Sequence, residues 1–187
     1  MIFPYKAIIE FWFGDISPKQ WWRKDPEFDR SIRERFGAIH AAATRGELYQ
    51  WRNEPEGRLA EIIVLDQFSR NIYRGLPLAF AFDPLALVLA QEAISGEAHR
   101  MLAAEKKAFL YMPFMHSESP VIHEIAVHLY SDPRLENQLA IELKHKDITD
   151  RFGRYPHRNA VLGRTSTKEE KEESLASLVE LFYPALT

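Results

Sequence analysis

Residues 26–44 read PEFDRSIRERFGAIHAAAT and follow Asp25. An Asp before a helix accepts a bond from an unpaired backbone N–H, and Pro fits the first helical position because its missing N–H would have no partner there. Phe28, Ile32, Phe36, Ile39 and Ala43 recur at steps of three and four, one apolar stripe of a helix. Asp83-Pro84 repeats the signal before PLALVLAQEAI, which ends at Gly96. Asp132-Pro133 repeats it before PRLENQLAIELKHKDITDRF, with Leu135, Leu139, Leu143 and Phe152 near one face and Gly153 at the end. Between these, Arg58 to Phe68 carries Leu59, Ile62, Ile63 and Leu65 behind Gly57, Pro113 closes Ala104 to Met112, and Pro120 to Tyr130 is apolar on one face. Thr167-x-x-Glu170 is a capping box whose helix runs toward Phe182. No segment alternates like a strand with hairpin turns. The expected fold is all-α, about eight helices in antiparallel pairs with short connections.

The 187 residues read as one domain, 1–187. Hydrophobic residues at 46% and charged residues at 27% suffice for a core and exclude a disordered tail. Phe11, Trp12, Phe13, Trp21, Trp22, Phe28, Phe36 and Trp51 are expected to fill that core. The lack of cysteine excludes disulfides, thiolate nucleophiles, iron–sulfur clusters and Cys-type zinc sites. No apolar run approaches the roughly 18 residues of a membrane span. The start MIFPYKAIIEFWFGD lacks the basic head and cleavage site of a signal peptide. A cytoplasmic protein with no membrane partner is expected.

The net charge of −3 gives no general attraction to nucleic acid. Its distribution is uneven. Residues 144–164 carry +4, with Lys144, Lys146, Arg151, Arg154, Arg158 and Arg164 against Asp147 and Asp150, while residues 165–187 carry −3. Such a segment is either a solvated, salt-bridged loop or an anion site, and it is too short to make nucleic acid the expected partner.

Three polar stretches stand in apolar surroundings. The first runs from Asp66 and Gln67 to Arg70 and Asn71, with Asp66 and Arg70 one helical turn apart. In the second, a run of apolar residues ends abruptly in His116-Ser117-Glu118. The third spans His145 to Arg164, where Gly153 and Pro156 stiffen a turn presenting Arg154, His157 and Arg158. No Walker loop, GxGxxG, GxSxG or HExxH occurs. Glu142-x-x-His145 is one half of a helical di-iron signature with no second half, so no metal is assigned. His40, His99, His123 and His128 are read as structural, with His99 on the surface.

The stretches LDQFSRNIYRG, FAFDPLAL, AFLYMPFMHSE and HKDITDRFGRYPHRNAVLGRTST, with FWFGD near the start, resemble the hallmark segments of the bacterial domain of unknown function 924 family. The resemblance implies an all-helical fold similar to tetratricopeptide-repeat (TPR) proteins and no established activity. Its motif positions fall on Asp66, Gln67, Arg70, Asn71, His116, Ser117, Glu118, His145, Asp147, Arg151, Arg154, His157, Arg158 and Asn159, the same polar stretches. Ser69 stands where the family has Pro, and Ser119-Pro120-Val121-Ile122 replaces a longer acidic helix start.

Two functions and one purely structural reading follow. In the first, Arg70, Arg154 and Arg158 hold a small anionic or phosphorylated ligand, with Asp66, Gln67, Asn71, Arg151, His157 and Asn159 as further binding candidates. His116, Glu118 and His145 are the catalytic candidates, His116 or His145 as acid/base and Glu118 or Asp66 to orient it. The sequence leaves the cofactor unknown: a mononuclear metal on His116, Glu118 and His145 is chemically possible, but their spacing is not diagnostic. In the second, a TPR-like groove holds a peptide. In the third, the polar residues bond one another and fix loop geometry.

Overall fold

The computed structural model describes residues 4–173. The helices are α1 (Tyr5–Glu10), α2 (Pro18–Trp22), α3 (Pro26–Thr44), α4 (Pro55–Ile63), α5 (Ser69–Ile72), α6 (Asp83–Ser95), α7 (Ala104–Met115), α8 (Pro120–Tyr130) and α9 (Glu136–Phe152). No strand occurs among the described residues, and the fold is all-α. In the C-terminal half each helix packs on the next, α6 on α7, α7 on α8 and α8 on α9, while α4 packs on α1, α6 and α7.

Local signals explain most starts and stops. The Asp25 carboxylate accepts from the backbone N–H of Glu27 and Phe28, and Asp132 accepts from that of Arg134. Gly153 takes φ +66° and its N–H bonds Thr149 O, ending α9 as expected. Thr167 and Glu170 bond each other's backbone N–H, closing the capping box; the continuation toward Phe182 lies outside the described residues.

Three expectations about helix boundaries are corrected. Asp83 is no N-cap: α6 starts at Asp83 itself and Phe82 before it makes no side-chain cap bond. Its carboxylate turns to Arg70 and Arg158, because a charged partner outweighs a backbone amide. Pro113 does not close α7, which runs to Met115. Every residue from Lys107 to Met115 is buried, and that burial outweighs one lost backbone bond. Gly57 does not bound α4 but lies within it; a Cβ there would stand 2.0 Å from Trp51 O, so the close approach of the Trp51 backbone requires glycine.

The core holds Trp12, Phe36, Phe68, Phe109 and Phe114, with Phe36 stacked on Phe68 at 5.2 Å. Trp22, expected inside, is 57% exposed and lies flat on Phe109 at 6.0 Å. His99 is half-buried beside Tyr111 instead of on the surface. Residues Pro77–Ser95 are by length and composition apolar enough to cross a membrane, contrary to the sequence reading. Here they form a short turn followed by α6, with Asp83 in ion pairs at the join.

Candidate functional site

Between α4 and α5 the chain widens into a π-helical turn, Val64–Phe68, which carries Asp66 and Gln67. Such single-turn widenings cost backbone geometry and recur at functional sites. The Asp66 carboxylate is 1% exposed and accepts from His116 Nδ1–H at 2.7 Å. It also accepts from Gln67 Nε2 at 2.5 Å and lies 3.1 Å from Arg70 Nη1. Burial pushes the Asp66 carboxyl up, but Arg70 and then His116 pull it well below the usual carboxylate range. His116 is pushed down by burial and by Arg70, against the pull of Asp66. At neutral pH the pair is thus a carboxylate and a neutral imidazole. A proton fixed on Nδ1 leaves Nε2 as an acceptor, and that nitrogen has no partner among the described residues.

Arg70 binds Asp83 with two bonds, 2.9 and 3.0 Å, and Asp66 O with a third. Arg158, on the short turn Pro156–Arg158, shares the same aspartate at 3.2 Å and donates to His116 O at 3.0 Å. Two guanidiniums therefore divide one carboxylate. Arg158 is 6% exposed, lies against the rings of Phe80 and Tyr155, and its Nε has no acceptor among the described residues. Beside this cluster opens a pocket of about 480 Å³ lined by Pro77, Phe80, Ala81, Asp83, Pro84, Leu87, Pro113, His116, Ser117, Glu118, Arg158 and Leu162.

The other candidates separate into supports and outliers. Glu118 reaches the pocket wall, yet both its oxygens are engaged by Arg164 (2.6 and 2.8 Å) and by Tyr155 N (2.7 Å). Burial raises its pKa, but those bonds outweigh burial and hold it down. It ties the 154–164 loop to the end of α7. Gln67 braces Asp66 and touches Met112 Sδ. Asn159 is buried and bonds Ser166 and Arg164. Asn71 turns to Asp29, which also holds Arg74. His145 donates from Nδ1 to Ile141 O on its own helix and meets Tyr155 edge-on; burial lowers its pKa to about 4. His157 is exposed, 5.5 Å from the Tyr155 ring. His116, Glu118 and His145 form no metal-holding group among the described residues.

Arg154 and Arg151 face away from this cluster. Arg154 makes a two-bond pair with Glu170 (2.6 and 2.9 Å) and reaches Thr165 O, while Arg151 bonds Glu173. The basic loop is thus clasped by the acidic helix start that follows it. Arg154→Ala and Glu170→Ala are each expected to lower Tm by several degrees. The double variant should lose little more than either single one, as for any directly paired sites. Additive losses in a thermal melt would show that the pair does not act as a unit.

Sequence reasoning missed Asp83, Arg164, Tyr155 and Phe80. Asp83 carried a false capping signal, and the aromatic pair shows only when the 155–158 turn lands on α6. The Glu142 half of the di-iron pattern has another use: it meets His123 at 2.5 Å in a fully buried pair, and His123 Nε2 also donates to Ser117 O. This pair steadies the backbone that carries His116 and Glu118.

Fold and site together define an all-helical protein in which a histidine anchored by a buried carboxylate and an arginine line one pocket. The chain belongs to the family described as bacterial protein of unknown function (DUF924), which matches residues 8–175. It is similar to a protein of unknown function from Agrobacterium tumefaciens, 38% identical over 90% of this chain and 95% of that one, with a TM-score of 0.85. A search of curated proteins found no match.

Proposed function

We propose that the chain binds a small anionic molecule in the pocket beside Arg158 and moves a proton at His116 Nε2. The observation that carries this reading is that His116, anchored by Asp66, lines that pocket. A neutral imidazole with one nitrogen anchored to a carboxylate is a general base near neutral pH. Water is the simplest molecule from which such a base removes a proton, so hydrolysis is the reaction class it suits. Arg158 supplies the charge that holds an anion, and Asp66 fixes the ring. Arg70, sandwiched between Asp66 and Asp83, positions both. The helix-on-helix succession from α6 to α9 supports a TPR-like reading of the scaffold.

The test is a thermal-shift titration with phosphate, acetate and longer carboxylates at constant ionic strength. At least one anion is expected to stabilise the wild type. Arg158→Lys is expected to weaken that stabilisation although it keeps the charge, because the planar fork is lost. An absence of stabilisation by every anion would overturn the reading. A second reading, a protein-binding surface, is favoured by exposed Val121 and Ile125 on α8 and Ile141 and Leu143 on α9. Loss of a co-purifying partner on Val121→Glu/Ile125→Glu would support it.

A further inference from the structure

Building on that reading of the pocket, we propose that its occupant is a monocarboxylic acid with an apolar body, held head-first at Arg158. The pocket lining combines two chemistries. Pro77, Phe80, Pro84, Leu87, Pro113 and Leu162 offer contact to carbon and almost no hydrogen bonds. A sugar phosphate or nucleotide would leave its hydroxyls without partners there. The polar lining residues are Arg158, His116 and Ser117 with the carboxylates of Asp83 and Glu118.

The polar lining residues set the head group. Arg158 is the one permanent cation among the lining residues, and two carboxylates stand in the same lining. A dianion such as phosphate meets more repulsion from them than a single negative charge does. Arg158 Nη1 and Nη2 are engaged by Asp83 and His116 O, whereas its buried Nε–H has no acceptor among the described residues. That one spare donor suits a single oxygen of a singly charged head group. The volume, about 480 Å³, lies in the range of pockets that enclose small organic ligands.

The experiment is isothermal titration of the whole chain with acetate, butyrate, hexanoate and inorganic phosphate at constant ionic strength. Wild type, Leu87→Asn and Leu162→Asn are compared. Affinity is expected to rise about 2- to 4-fold for each methylene added, the step expected for burying one CH₂. Phosphate should bind more weakly than hexanoate. Leu87→Asn and Leu162→Asn should flatten the chain-length series, with the far-UV circular dichroism spectrum and a cooperative melt reporting that each variant is folded. Two outcomes overturn the proposal while the anion pocket stands: phosphate or acetate binding as tightly as hexanoate, or a chain-length series untouched in both variants. Binding of no anion at all overturns the pocket reading together with it.

Discussion

Asp83→Asn is expected to destabilise the protein by about 3–5 kcal/mol, the scale for removing one partner of a buried charge cluster. Asp83 is the carboxylate that Arg70 and Arg158 share, and the side chains of all three are largely buried. Without its charge, Arg158 keeps His116 O as a polar partner and its guanidinium stays buried between Phe80 and Tyr155. Repulsion between the two guanidiniums, which Asp83 now screens, adds to the loss. Replacing Arg158 by Met in the same background should recover part of it, since the orphaned charge is then removed. Chemical denaturation at neutral pH measures both. A loss under about 1 kcal/mol for Asp83→Asn would show that water, and not this aspartate, satisfies the arginines.

Acidification is expected to destabilise the fold between about pH 6.5 and pH 4, beginning above the range where carboxylates titrate. His40 is 2% exposed, bonds Ser69 Oγ at 2.8 Å, and lies edge-on to Tyr73 and Phe82; burial lowers its pKa to about 4. The unfolded chain takes up a proton at this histidine near pH 6.5, and the folded chain refuses it until about pH 4. The folded pKa is depressed, so the stabilisation is present above pH 6.5 and is lost as pH falls through that window. For His40 the loss is about 2–3 kcal/mol. His145, whose pKa burial also lowers to about 4, contributes in the same direction. Unfolding free energies at pH 7 and pH 4.5 test this. His40→Gln should lose less stability across the interval than wild type, and equal losses would contradict the assignment.

The split between what the sequence revealed and what it hid follows the range of the interactions. Asp25, Gly153 and the Thr167/Glu170 box act on backbone groups within four residues, and each behaves as read. Asp83 carries the same local signature as Asp25, yet its partners lie 13 and 75 residues away. No local rule reports a charge that distant. Pro113 misleads for a related reason: its effect on the helix is local, but the burial that overrides it comes from packing around α7. At the site the polar stretches named most of the right residues. They did not show which way each one turns. Asp66, Arg70, His116 and Arg158 converge, whereas Arg154 meets Glu170, Asn71 meets Asp29, and Glu118 is spent on Arg164. A polar motif says that a side chain will be satisfied; only the packing of helices decides whether a ligand or another residue satisfies it.

The central claim is that His116 Nε2 is a free, neutral acceptor facing a ligand pocket. Nitrogen-15 NMR of histidine-labelled protein at pH 7, recorded during titration with hexanoate, tests it most directly. The expected spectrum shows His116 neutral with its proton on Nδ1, and its Nε2 resonance moves with the titration while exposed His128 stays fixed. A proton found on Nε2, or a His116 signal that stays still while hexanoate binds, would contradict the account.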